Sequence, residues 1–152
     1  MRFERVISGG QTGVDRASLD AAMAKGIPVG GFCPQGRRAE DGPIPDRYPL
    51  VEMPSPEYVA RTERNVIASD GTLVLNLGEF SGGTALTVEF ARLHGKPCLV
   101  VRLDSNDADQ PRVVEWAVAN GICILNVAGP RESKMPGQVY SKAFEFLSIL
   151  FQ

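Results

Sequence analysis

Short apolar runs closed by glycine or proline alternate along the chain with longer segments whose apolar positions recur every three to four residues. The first pattern marks buried strands and the second amphipathic helices. Val6 and Ile7 lead into Ser8-Gly9-Gly10, a short strand meeting a glycine turn. Residues 14–25, rich in alanine, read as a helix stopped by Gly26, since a glycine just past the last turn ends helices. A second strand is expected over 27–32, although Pro28, Gly30 and Gly31 interrupt it. A helix over 58–68, a strand over 72–77, a helix over 82–93 and a strand over 98–103 follow. A helix containing 113–119, a strand over 122–127 and a final helix over 139–151 complete the series.

Such alternation predicts one α/β domain over residues 1–152, its mostly parallel sheet of about five strands covered by helices on both faces. Right-handed crossovers place every strand-to-helix turn along one sheet edge, where ligands bind near the point at which strand order reverses. Residues 33–56 break the pattern with six prolines, two glycines and no period. A loop that long is either a surface excursion or functional, and its position directly after a strand end favours function.

Composition narrows the class further. At 43% hydrophobic and 22% charged over 152 residues the chain can bury a core, which excludes general disorder. A net charge of −2 offers no broad footprint for nucleic acid. No stretch approaches the roughly 20 apolar residues of a membrane helix, and the first residues run into a strand without a signal-peptide core. The three cysteines, Cys33, Cys98 and Cys123, are an odd count without metal-ligand spacing. Cys98 and Cys123 sit in apolar runs and are expected to be buried hydrophobes. A cytoplasmic location is expected.

Candidate chemistry lies in two glycine turns. The first is Ser8-Gly9-Gly10-Gln11-Thr12-Gly13-Val14-Asp15-Arg16. Its glycines allow close backbone approach, and the helix that follows offers free amides and a positive dipole end to a phosphate. Alternatively Thr12 and Asp15 simply form a capping-box-like pair, which leaves Gly9, Gly10 and Gln11 unexplained. The second turn, Glu79-Phe80-Ser81-Gly82-Gly83-Thr84, repeats the arrangement after the 72–77 strand. Neither is a Walker loop or a G-x-G-x-x-G turn. Between them Arg61 and Arg64 share a helix face with Asn65 beside Arg61, either as a solvated surface or as phosphate ligands.

Taken together, Ser8 to Asp15, the run Cys33-Pro34-Gln35-Gly36-Arg37-Arg38-Ala39-Glu40-Asp41-Gly42, Arg61-Thr62-Glu63-Arg64-Asn65-Val66, Ser69-Asp70-Gly71-Thr72 and Gly82-Gly83-Thr84 resemble the molybdenum cofactor carrier family. More distantly the chain is similar to the DNA-processing protein A and lysine decarboxylase-like phosphoribohydrolase group. Arg64 matches that group's arginine. Ser81-Gly82-Gly83-Thr84-Ala85-Leu86-Thr87-Val88-Glu89 keeps its paired glycines and glutamate but alters the residues around them.

The resemblance implies a Rossmann-like three-layer fold, a molybdenum cofactor or nucleotide-like phosphate ligand, and a homo-oligomer. Phosphate is expected between the turns, on the amides of Gly10 to Gly13 and Gly82 to Thr84, on the hydroxyls of Thr12, Ser81 and Thr84, and on Arg64. Gly9, Gln11, Arg16, Pro34, Gly36, Arg61 and Asn65 belong to the same expected site. Arg37 and Arg38 are candidates for further anionic groups, and Asp41 or Glu40 for an amino-pyrimidine edge. Cys33 is expected to pack or, with a lowered pKa, to meet a metal or dithiolene. A carrier without turnover is the first reading. The alternatives are a nucleoside monophosphate phosphoribohydrolase using Glu89 and Arg64, and a nucleotide sensor.

Overall fold

The computed structural model describes residues 2–80, 82–105 and 109–152. The elements run β1 (Arg5–Ile7), α1 (Val14–Ala24), β2 (Val29–Gly30), β3 (Phe32–Cys33), β4 (Val51–Glu52), α2 (Tyr58–Ala68), β5 (Gly71–Asn76), α3 (Gly82–Leu93), β6 (Cys98–Arg102), α4 (Gln110–Ala119), β7 (Ile124–Ala128) and α5 (Val139–Leu150). Five strands form one sheet in the order β2-β1-β7-β5-β6, every pair parallel. Helix α1 packs against α5, which also touches α4, while α2 packs against α3. The fold is therefore the expected Rossmann-like three-layer arrangement.

Strand order sets the position of the site. From β1 the chain moves outward to β2, and from β5 it moves outward to β6 in the opposite direction, leaving β7 between β1 and β5. Order thus reverses around β7, and the turns after β1, β5 and β7 meet at one edge. All six residues of β5 are buried, as a central parallel strand requires. Val6, Leu73, Leu75, Leu125 and Val127 join Val14, Ala17 and Ala21 of α1 in the core. The alanines of α1 let that helix lie close to the sheet.

The expected second strand is split. Gly31 sits at φ 128° between β2 and β3, and a side chain there would come within 2.1 Å of the Ser8 carbonyl oxygen, so the backbone turns away from the main sheet. Phe32 and Cys33 then pair instead with Val51 and Glu52, which gives the irregular loop its own two-stranded base. Ile44 and Tyr48, both 1% exposed, pack with Leu19 and Cys33 into a small second core. Arg37, at φ 54°, fastens the loop from inside. Its guanidinium donates to the carbonyls of Ile44 (2.9 Å), Pro45 (2.7 Å), Tyr48 (2.8 Å) and Leu50 (3.4 Å). Of the two cysteines expected in the core, Cys123 is exposed and Cys98 half-buried, because Cys123 precedes β7 and lies outside the sheet.

Candidate functional site

A cleft of about 400 Å³ opens at the carboxyl edge above β1, β7 and β5. Gln11 and Asp15 come to it from the β1 side, Ala128 to Arg131 from the end of β7, Gly82 to Thr84 from the start of α3, and Tyr58, Arg61 and Thr62 from α2. Ser133 and Lys134 complete the rim. The lining holds three cations, Arg61, Arg131 and Lys134, against one carboxylate, Asp15.

Asp15 is only 3% exposed. Its Oδ2 accepts from the Gln11 amide at 3.2 Å and from Arg61 at 3.3 Å. Burial pushes its carboxyl above the usual range, with Arg61 and the Gln11 amide pulling the other way. Asp15 is thus the one carboxylate in a cleft otherwise lined by cations. The Gln11 side chain is fixed by its Nε2, which donates to the Arg38 carbonyl at 2.9 Å. Among the described residues its Oε1 has no hydrogen-bond partner, nor has Arg61 Nε.

The first glycine turn is filled by protein. A Cβ on Gly9 would meet Arg61 Nη1 at 2.1 Å, one on Gly10 would meet Leu50 at 2.4 Å, and one on Gly13 would meet the Pro130 carbonyl oxygen at 2.4 Å. The Gly10 amide donates to Ser8 Oγ at 3.3 Å and the Gln11 amide to Asp15. Gly13 caps α1 without a side-chain bond, so Thr12 and Asp15 form no capping box. Thr12 Oγ1 instead donates to Glu40 and accepts from the Glu132 amide. Arg16 donates to the Gly10 carbonyl at 3.0 Å and forks onto Asp41 at 2.5 and 2.8 Å. At the second turn the situation is opposite. A Cβ on Gly82 or Gly83 would meet nothing within 4 Å, and both residues are exposed, so protein does not fill the start of α3, the kind of helix N-terminus that can accept an anion. Ser81 lies outside the described residues.

Other expected site residues are spent on the loop. Glu40 accepts from Thr12 and from the Ser133 amide (3.2 Å) and hydroxyl (2.6 Å), clasping the β1 turn to the β7 turn. Burial raises its pKa, but the Ser133 and Thr12 hydrogen bonds outweigh that and hold it below the usual range. The Arg16 fork holds Asp41 low as well. Cys33 is buried, and burial pushes its thiol up rather than down, because desolvation outweighs the nearby arginines. Pro34 is buried at the start of a tight turn, and the Gly36 amide donates to Glu52 at 2.7 Å.

On α2, Arg61 lines the cleft, whereas Arg64 is exposed and lies 4.9 Å from the Phe32 ring centroid. Asn65 brackets the Phe32 backbone with two bonds of 2.9 Å, tying α2 to β3. Glu89 is exposed and paired with Arg92. Neither Arg64 nor Glu89 lines the cleft.

Sequence reasoning missed Tyr58, Arg131, Ser133 and Lys134. The available signal was Arg131 two residues after Gly129 at the end of an apolar strand, the same strand-then-turn arrangement as the two turns singled out. Its weight depended on strand order, which puts β7 between the other two.

No helix among the described residues is long and apolar enough to cross a membrane, and none of their His, Cys, Asp and Glu side chains gather in threes as a metal site. The family model described as the circularly permutated YpsA SLOG family matches residues 6–151. A crystal structure from Syntrophus aciditrophicus SB, of a protein named as a proposed molybdenum carrier, is 45% identical, with a TM-score of 0.94 over 99% of this chain and 96% of that one. No curated protein matches.

Proposed function

We propose, from the premise that the chain belongs to the circularly permutated YpsA SLOG family, that its cleft binds the phosphate of a small-molecule cofactor and carries that molecule without turnover. The observation that carries this reading is the surplus of cations, Arg61, Arg131 and Lys134, around a single cleft bordered by the open start of α3. Asp15 is the one carboxylate that lines the cleft against these three cations, and a phosphate would supply further counter-charge together with acceptors for the α3 amides. Lys134 is anchored by donating to the Glu79 carbonyl, beside the same helix start. The ligand class we favour is the molybdenum cofactor, since the structural relative's name points to a molybdenum carrier and the cofactor's phosphate suits the positive rim. The metal in such cargo would be held by the cofactor's own donors.

Hydrolysis of a nucleoside monophosphate is the weaker reading, because Glu89, its candidate carboxylate, is paired with Arg92 outside the cleft. An anaerobic thermal-shift panel of molybdopterin, nucleoside monophosphates and molybdate tests the proposal. A binder at 100 times its Kd should add about 2.7 kcal/mol of stability, and Arg131→Ala should weaken binding by about 1.5–3 kcal/mol, as for a hydrogen bond to a charged group. Release of free base from AMP, abolished by Glu89→Gln, would reverse the order of the two readings.

A further inference from the structure

Arg131 and Arg38 converge on one ring. The Arg131 guanidinium carbon lies 4.8 Å from the Tyr58 ring centroid, and that of Arg38 lies 4.7 Å from it. Three separate segments meet in this way: the turn after β7, the loop over 33–56 and the first residue of α2.

The other arginines near the cleft are bonded to protein oxygens. Arg37 is bonded to four carbonyls, Arg16 to Gly10 and Asp41, and Arg61 through Nη1 to Asp15, its buried Nε having no partner among the described residues. Arg131 differs. Among the described residues its guanidinium makes no hydrogen bond to the protein, and the Tyr58 ring is the contact that holds it. Asp15 and Glu40 both feel its charge, but neither is hydrogen-bonded to it: Asp15 Oδ2 accepts from Gln11 and Arg61, and Glu40 from Thr12 and Ser133. A ring held against a guanidinium grips it by the face and leaves the in-plane N–H groups free, the geometry in which arginine forks onto an oxyanion. With an arginine close to it on each of two segments, the ring is poorly placed to stack a ligand's heterocycle as well.

We propose that Tyr58 is a positioning residue that presents the Arg131 fork to a phosphate dianion in the cleft, an inference that rests on the phosphate-binding reading of that cleft. Tyr58 contributes no bond of its own to the ligand. Its hydroxyl is dispensable and its ring is not.

The test uses the full chain and inorganic phosphate, titrated by calorimetry at pH 8, with phosphate protonation followed down to pH 6. Tyr58→Phe keeps the ring and should bind phosphate as the wild type does. Tyr58→Leu should bind roughly 2–30-fold more weakly, the range for loss of one cation–π contact. Because Tyr58 acts through Arg131, adding Tyr58→Leu to Arg131→Ala should cost nothing more. A Tyr58→Leu chain that binds like wild type, or a full additional loss on top of Arg131→Ala, overturns this inference and leaves the phosphate reading standing. A wild-type chain that does not bind phosphate at any of these pH values overturns both. If Tyr58→Leu fails to fold, Tyr58→Gln replaces it under the same criteria.

Discussion

Replacing Gly13 with alanine probes the joint between the β1 turn and the segment that carries Arg131. The new methyl would stand 2.4 Å from the Pro130 carbonyl oxygen and 2.8 Å from Arg131 C and Glu132 N. All three are backbone atoms, so the β7 turn must retreat by about 0.6 Å to reach even the closest tolerable contact of 3.0 Å. Gly13 also lies at φ 78° and ψ −127°, a region that side chains avoid at a cost of about 1–3 kcal/mol. Overpacking adds about 1–3 kcal/mol, and loss of the Val14 amide bond to the Pro130 carbonyl, 3.2 Å long, adds about 1 kcal/mol. A destabilisation of ~3–7 kcal/mol follows from these three terms together, read from urea denaturation at unchanged m. The control is Gly83→Ala. Its methyl meets nothing within 4 Å, so the apo protein should be unchanged or gain up to about 0.5–1 kcal/mol from helix propensity, while phosphate binding falls because the methyl enters the cleft. Equal losses for the two variants, or a loss under about 1 kcal/mol for Gly13→Ala, would refute the assignment of one glycine turn to protein packing and the other to the ligand.

Acid should open the loop over 33–56 before the sheet unfolds. Glu40 and Asp41 are held below their ordinary pKa values, so their contribution is present above the unfolded value near 4 and is lost as pH falls through the lower folded values. A rise in amide exchange confined to that loop as pH falls below about 4 is the expected result, whereas in Glu40→Gln the loop should already exchange fast above that pH and show no further acid step. Thiol labelling of the native protein should show fast reaction at exposed Cys123 and protection of Cys33 until unfolding. Cys98, pushed up to about 11 by burial, should react slowly between them. Rapid labelling of Cys33 in the folded chain would contradict its buried placement.

The alternation of strands and helices was legible because each element carries its own period. Helices α2 and α3 fall where the apolar spacing put them, since a helix face is a local property. The split at Gly31 was not legible, because it arises from the approach of that residue to Ser8, more than twenty positions earlier. The same holds for Gly9, Gly10 and Gly13. In sequence they resemble a ligand loop, yet the atoms they make room for belong to Arg61, Leu50 and Pro130. Arg64 and Arg61 share a helix face by spacing, but α2 approaches the sheet with Arg61 toward Asp15 and Arg64 toward Phe32. Arg131 was hidden for a topological reason, since the place of β7 between β1 and β5 follows from long-range pairing that no local pattern encodes.

The proposed function requires a phosphate between the start of α3 and the Arg131 guanidinium. A crystal of the chain soaked in a phosphomonoester, with phosphorus located by its anomalous signal, measures that directly. The predicted peak lies within hydrogen-bond reach of the Gly83 amide and the Arg131 guanidinium. A peak on the β1 turn at Gly10, or a cleft that stays empty while the soaked compound saturates binding in solution, would contradict it.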